Sequence, residues 1–204
     1  MTEDRYKLSF TTGALLLREA GVAAPIYFEC RDWLEVRRRL DDENLLQART
    51  VSSARRLGRE VIQRLSELTD PEIELFIEST AVERGHLMWV AACRRYRLVG
   101  EFAEEVVRER FLLLAPTLLP GDFDSFVRSK AVWHDELAEI AESTHRRLRS
   151  NVLLMLREAG LLSEAGQIVP TVLSGRVSEV LVESDLRDMR FFPTQDVSAA
   201  KEVV

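Results

Sequence analysis

The sequence contains few of the residues on which most metal and catalytic sites depend. Of its 204 residues, two are cysteine and three are histidine. Cys30 and Cys93 each stand alone in apolar surroundings, so they are predicted to be reduced, buried packing residues, neither joined in a disulfide nor bound to a metal. His86, His134 and His145 are dispersed and lack the spacing that would place metal ligands on one helical face. These absences predict a protein without a metal ion or a cofactor.

Motifs for phosphate binding, nucleophilic catalysis and membrane insertion are also missing. No glycine-rich phosphate loop or nucleophile elbow occurs. The longest apolar stretch, residues 111–119, is far shorter than the roughly 20 residues that a membrane-spanning helix needs. The first residues lack the basic-then-apolar order of a secretory signal. The expectation is a soluble, cytoplasmic protein that is not an enzyme.

The overall charge restricts how such a protein could bind a polyanion. The composition is that of a globular protein, with 46% hydrophobic and 30% charged residues. The formal net charge of -6 disfavours a whole-surface attraction to nucleic acid or to an anionic membrane. Any binding of nucleic acid would therefore depend on local basic patches.

Apolar residues recur at helical spacing through most of the chain, which predicts an all-α, multi-helix bundle. We expect a helical region with a basic third helix over 1–68, a central helical scaffold over 69–132, a helix-turn-helix-like region with a short β-wing over 133–182, and a polar tail over 183–204. Together these regions are expected to form one compact unit.

Local signals divide parts of this pattern into separate helices. Thr11 or Thr12 is predicted to cap a first helix that Gly21 ends, and Pro25 is predicted to lie in the first turn of a second helix. Gly100 is a candidate break in the long amphipathic pattern of the central region.

One basic patch lies between residues 45 and 65, where five arginines face a single acid, Glu60. The third predicted helix buries a stripe formed by Ala54, Leu57, Val61, Leu65 and Leu68. Its arginines are then left to point outward, and the whole patch consists of Arg49, Arg55, Arg56, Arg59 and Arg64.

A second basic patch begins a later helix that Ser143 or Thr144 can cap and Gly160 can end. Its apolar stripe is Leu148, Val152, Met155 and Leu156. No acid lies between Ser143 and Arg157, and the first turn and a half carries Arg146, Arg147 and Arg149.

The residues on either side of this helix fit a winged helix-turn-helix. Residues 136–141 have the spacing of a short helix followed by a two- or three-residue turn. Residues 161–162 and 168–169 flank a five-residue connection that contains Gly166 and is typical of a short hairpin.

Arginine near a helix start opposes the helix dipole, so these arginines are better candidates for function than for stability. The predicted interface with duplex DNA is Arg49, Arg55, Arg56, Arg59, Arg146, Arg147 and Arg149. Because asparagine and glutamine are few in both patches, phosphate contacts are favoured over base readout. Three alternatives remain: solvated surface arginines, a scaffold whose arginines pair with an acidic partner subunit, and an RNA-binding module.

Five stretches together resemble the BrxA family of BREX bacteriophage-resistance systems: residues 6–13, 32–33, 44–50, 88–96 and 157–162. The resemblance spans nearly the whole chain. It implies a small all-helical cytoplasmic protein, similar in part to the antitermination factor NusB, that binds DNA. It also implies a protein without catalysis of its own that acts beside larger methyltransferase, ATPase and phosphatase-like BREX components. The resemblance carries over no site residue, so the candidates above rest on charge and helix position.

Overall fold

A computed structural model of the protein describes residues 5–10 and 14–195. Within these residues the regular secondary structure is helical and no regular β-strand occurs, which confirms the all-α fold class. A π-helix (Ala103–Arg108) separates α6 from α7, and a 3-10 helix (Leu186–Phe191) follows α11. The α-helices are α1 (Leu17–Cys30), α2 (Trp33–Asp42), α3 (Val51–Leu65), α4 (Asp70–Glu78), α5 (Ala81–Arg95), α6 (Arg97–Phe102), α7 (Glu109–Leu112), α8 (Pro120–Lys130), α9 (Asp135–Ala138), α10 (Glu142–Glu158) and α11 (Gly175–Asp185).

Helix α5 is the centre of the bundle. Its residues 85–93 are all buried, as expected for a helix with apolar neighbours on every side. Helices α1, α3, α4, α10 and α11 pack against it. One hydrophobic cluster extends from Tyr6 to Phe192, so all the predicted regions contribute to the same core.

The segment predicted to be a β-wing forms a short hairpin without a regular strand. Leu162 and Ile168 form an isolated antiparallel bridge. The hairpin is bound to the segment before α8, because Ile168 N donates to Pro116 O at 2.6 Å and Leu118 N donates to Gly166 O at 2.8 Å. It therefore packs on the body of the protein.

Helix α1 contradicts the predicted break near its middle. It continues through Gly21 and Pro25, although a proline inside a helix removes one backbone hydrogen bond. Packing explains the difference, since the face of α1 formed by Ala20, Ala23 and Ala24 is fully buried against its neighbours. The two candidate caps before this helix, Thr11 and Thr12, lie outside the described residues.

The break in the central pattern occurs at Tyr96, between α5 and α6, and not at Gly100 as predicted. Tyr96 has an extended backbone, and its hydroxyl donates to the buried carboxylate of Glu60. Gly100 serves a different purpose, because a Cβ added there would lie 3.0 Å from both the carbonyl oxygen of Cys93 and the ring of Phe191. It allows α6 to pack closely.

Part of the predicted polar tail belongs to the core. The indole N–H of Trp89 donates to the carbonyl of Phe191 at 2.9 Å, and Phe192 is fully buried. Arg94 on α5 donates to the carboxylate of Asp188 at 2.8 Å. The prediction of a polar tail from residue 183 is therefore wrong for residues 188–194, and residues 196–204 lie outside the described part of the chain.

Neither cysteine forms a disulfide. Cys93 is buried as predicted, and burial raises the pKa of its thiol well above the usual value. Cys30 is only partly buried, which corrects its prediction. Among the described helices, none is long and apolar enough to cross a membrane.

Candidate nucleic-acid interface

Four of the predicted arginines form an exposed basic face on and just before α3. The hydroxyl of Thr50 caps this helix by accepting the backbone N–H of Ser53 at 3.2 Å. The predicted apolar stripe lies inward, with Leu57 partly buried and its other members buried. The outward residues, which we call the α3 basic face, are Arg49, Arg55, Arg56 and Arg59.

The charges of the α3 basic face are not neutralised within the described structure. None of its four side chains forms an ion pair or a hydrogen bond with any residue of 5–10 or 14–195. Most other arginines in this part of the chain do form ion pairs, for example Arg38 with Glu35 at 2.7 Å. The face is therefore a local concentration of unmatched positive charge.

The remaining charges of the predicted patch lie inside the protein. Arg64 is fully buried and its guanidinium binds the carboxylate of Glu60 at 3.0 Å. Arg64 also donates to the carbonyl of Ala14, and the hydroxyl of Tyr96 donates to Glu60. The structure thus removes one arginine and the only acid from the predicted patch.

Two acids lie near one end of the α3 basic face. Arg49 and Arg55 line a cleft of about 250 Å³ together with Asp41 and Asp42 at the end of α2. These carboxylates lower the positive potential at Arg49 and Arg55, while Arg56 and Arg59 lie outside the cleft.

Helix α10 has the predicted apolar stripe, which is fully buried, but a different beginning. It starts at Glu142 after Ala141, so neither Ser143 nor Thr144 caps it. Its last turn ends at Gly160, which has the predicted left-handed backbone with φ 74°.

The three arginines of α10 do not form one free surface. Arg147 is exposed and makes no ion pair with a described residue. Arg146 lies 3.7 Å from Glu142, with both side chains mostly exposed. Arg149 is only about a quarter exposed and binds Asp124 of α8 at 2.6 Å. Arg149 therefore joins α10 to α8.

The structure before α10 differs from the predicted helix over 136–141, because α9 ends at Ala138 and residues 139–141 form the connection to α10. Its charge is unfavourable for DNA, because exposed or partly exposed acids adjoin the start of α10: Asp135, Glu136, Glu139 and Glu142. All four precede Ser143, so they lie outside the acid-free stretch from Ser143 to Arg157. Acids at this position repel phosphate, so α3 carries more of the candidate interface than α10.

The exposed arginines of α3 and those of α10 lie far along each helix from residues 14–15, which contact both helices. Leu15 N donates to the carboxylate of Glu158 on α10 at 2.7 Å, and the neighbouring Ala14 accepts from Arg64 on α3. Arg55 is about 13 Å along α3 from Arg64, and Arg147 is about 16 Å along α10 from Glu158, at a rise of about 1.5 Å per residue. A single surface containing both sets stays a prediction.

The histidines occupy structural positions. His86 is buried beside Phe192, and burial lowers the pKa of its imidazole. The ring of His134 lies 4.4 Å from that of Tyr6, and His145 lies 3.5 Å from Asp124. Among the described residues, no three His, Cys, Asp or Glu side chains are grouped so that they could hold a metal ion.

Residues 4–185 match the BrxA family. The chain belongs to this family. Proteins named BREX protein BrxA are similar to it over most of their length. The protein of Paramagnetospirillum magneticum (strain ATCC 700264 / AMB-1) is 26% identical over 91% of this chain and 94% of the relative. That of Escherichia coli O9:H4 (strain HS) is 28% identical over 72% and 70%, and that of Bacillus cereus (strain H3081.97) is 25% identical over 78% and 80%.

A solved structure supports the fold of this BrxA-family chain. The crystal structure of an uncharacterized protein from Magnetospirillum magneticum superposes with a TM-score of 0.81 and 22% sequence identity, covering 93% of this chain and 98% of the other. That similarity concerns the fold alone. The partial likeness to NusB stays a prediction.

Proposed function

We propose that this BrxA-family protein acts in BREX bacteriophage defence as a non-catalytic component that binds duplex DNA through phosphate contacts. The observation that carries the proposal is the α3 basic face, which has four exposed arginines without acid partners among the described residues, in a chain of net charge -6. Family membership supports the role in phage defence, and the α3 basic face supports the mode of binding.

Arginine is well suited to such an interface. Its planar guanidinium can donate two parallel hydrogen bonds to a phosphate, and each phosphate neutralised releases counterions. Residues 55, 56 and 59 lie within about one turn on the outward side of α3, so their side chains can reach neighbouring phosphates. Because asparagine and glutamine are few beside these arginines, little sequence preference is expected.

Helix α10 has a secondary part in this proposal. Arg147, and Arg146 beside the exposed Glu142, can add phosphate contacts. Arg149 instead positions α10 through Asp124. The α3 basic face should therefore account for most of the affinity.

The test compares DNA binding by two triple variants of equal charge. Arg55→Ala/Arg56→Ala/Arg59→Ala removes three unpaired arginines, whereas Arg176→Ala/Arg187→Ala/Arg190→Ala removes three that have acid partners. Affinity for duplex DNA is measured by gel shift at two salt concentrations. The first variant should bind more weakly. Its negative slope of log affinity against log salt should become shallower by about 0.9 for each phosphate that is no longer neutralised. The second should resemble the wild type.

Unchanged DNA affinity in the α3 variant would contradict the proposal. If that variant instead loses association with another BREX protein, the arginines serve a protein scaffold. Parallel gel shifts with duplex RNA and with single strands separate DNA binding from RNA binding.

A further inference from the structure

One tryptophan is almost entirely exposed. Trp133, in the turn between α8 and α9, is 84% exposed, and its neighbour Val132 is 70% exposed. The other two tryptophans pack against the protein. Trp89 is buried, and the ring of Trp33 stacks on that of Tyr27 with 3.9 Å between the ring centres. A tryptophan in this position exposes a large apolar area to water, and such residues often anchor protein interfaces.

The backbone around Trp133 is held in place on both sides. Trp133 N donates to the carbonyl of Lys130 at the end of α8, at 3.0 Å. The next residue, His134, lies against the ring of Tyr6, and Leu137 of α9 is buried in the core. The segment therefore presents its two apolar side chains with little backbone entropy to lose on binding.

The surroundings of Trp133 are acidic. Asp135 and Glu139 are exposed and make no ion pair with any residue in the described part of the chain. Glu136 accepts the backbone N–H of Tyr6 at 2.7 Å. Arg128, one turn before Val132, is an exposed cation without an acid partner among the described residues, and the nearby acids outnumber it. The other nearby cation, Lys130, is paired with Glu101 and Glu105. This surface therefore disfavours nucleic acid and anionic lipid as occupants and favours a basic partner.

We infer that Val132 and Trp133 dock into an apolar pocket, edged by lysine or arginine, on another protein of the BREX system. Asp135 and Glu139 pair with the basic edge of that pocket, and a guanidinium or ammonium there can also stack on the indole of Trp133. The interaction uses residues outside the α3 basic face, so it does not depend on DNA binding.

The first test measures association with each purified protein of the same BREX system, using the full chain. Trp133→Ala should weaken the association with one of them about tenfold or more, as expected for an anchor residue. Asp135→Asn/Glu139→Gln should weaken the same association and reduce its salt dependence. The matched control is Leu34→Ala, which truncates a leucine of α2 that is 77% exposed, and it should bind like the wild type. Thermal unfolding should be unchanged in all three variants, and DNA gel shifts should be unchanged in Trp133→Ala and Leu34→Ala.

The second test follows Trp133 itself. The fluorescence of the wild type minus that of Trp133→Phe reports this indole, and acrylamide, a neutral quencher, reports its exposure. Adding the partner should shift this emission to shorter wavelength and protect it from acrylamide. The inference is overturned if no protein of the system binds, if Trp133→Ala binds as the wild type does, or if the emission of Trp133 does not respond to the bound partner.

Discussion

Arg64 and Glu60, one turn apart on α3, form an ion pair inside the core, with 3.0 Å between the guanidinium and the carboxylate. Both charges are satisfied further, Arg64 by the carbonyl of Ala14 and Glu60 by the hydroxyl of Tyr96. Burial of this side of α3 fixes the rotation of the helix about its axis. The α3 basic face is directed to solvent as a result.

We predict that Glu60→Gln destabilises the protein strongly, because the buried guanidinium of Arg64 loses its counter-charge. Breaking a buried ion pair in this way costs about 3–5 kcal/mol. The double variant Glu60→Leu/Arg64→Met replaces both charges by apolar groups and should recover part of that loss, because the Tyr96 hydroxyl and the Ala14 carbonyl lose these partners. Urea unfolding gives both values, and a double variant that is less stable than Glu60→Gln would contradict the prediction.

Arg147→Ala and Arg149→Ala should affect different properties. Arg147 has no acid partner among the described residues, so its removal should leave stability unchanged. It should weaken DNA binding and make the slope of log affinity against log salt shallower by about one unit. Arg149→Ala breaks the ion pair with Asp124 and should cost up to roughly 1 kcal/mol of stability, with a smaller effect on DNA binding. Thermal unfolding and gel shifts of the two variants check this, and the reverse pattern would show that Arg149 is the DNA contact.

Replacing glycine by alanine should have opposite effects in two helices. At Gly100 the new Cβ would meet the carbonyl of Cys93 and the ring of Phe191 at 3.0 Å, so Gly100→Ala should cost about 1–3 kcal/mol. At Gly21, inside α1, the nearest atom to a new Cβ is a side-chain nitrogen of Arg84 at 4.0 Å. Gly21→Ala should stabilise the protein by up to about 1 kcal/mol through helix propensity. Equal changes in the free energy of unfolding at both sites would refute this explanation.

His86 should make stability fall in mildly acidic solution. Burial lowers the pKa of His86 below its ordinary value of 6.5, so the unfolded chain binds a proton more readily than the folded protein does. The contribution of His86 to stability is therefore complete above about pH 6.5 and is lost as the pH falls from there toward the lowered pKa. His86→Leu should remove this part of the pH profile in urea unfolding between neutral and acidic pH, while an identical profile would assign it to other groups.

Helical periodicity was sufficient to predict the buried stripes of α3 and α10. In α10 the predicted apolar residues are all fully buried, and Gly160 has its predicted backbone. These features depend on side chains within one or two turns of each other, so they can be read from a short window of sequence. The family resemblance was likewise visible in the sequence and is confirmed over residues 4–185.

Features set by distant contacts could not be predicted in this way. Arg149 is neutralised by Asp124, 25 residues away, and the segment after α11 enters the core through contacts of Asp188 and Phe191 with α5. The break predicted at Gly21 failed because packing of α1 outweighs the local cost of Pro25. The exposure of Trp133 also depends on how α8 and α9 pack, and an apolar residue in a turn gives no local sign of it.

The hydrogen bond from Trp89 to Phe191 joins residues 102 positions apart. Because a ribosome makes the chain from its N-terminus, α5 is complete long before Phe191 exists, and the apolar surface that this segment covers stays open in the meantime. The last steps of folding must therefore wait until Phe191 has been made, and the unfinished chain is exposed to aggregation and to chaperones during that time. A premature stop before residue 191 would leave every arginine of the α3 basic face on a protein whose core cannot close.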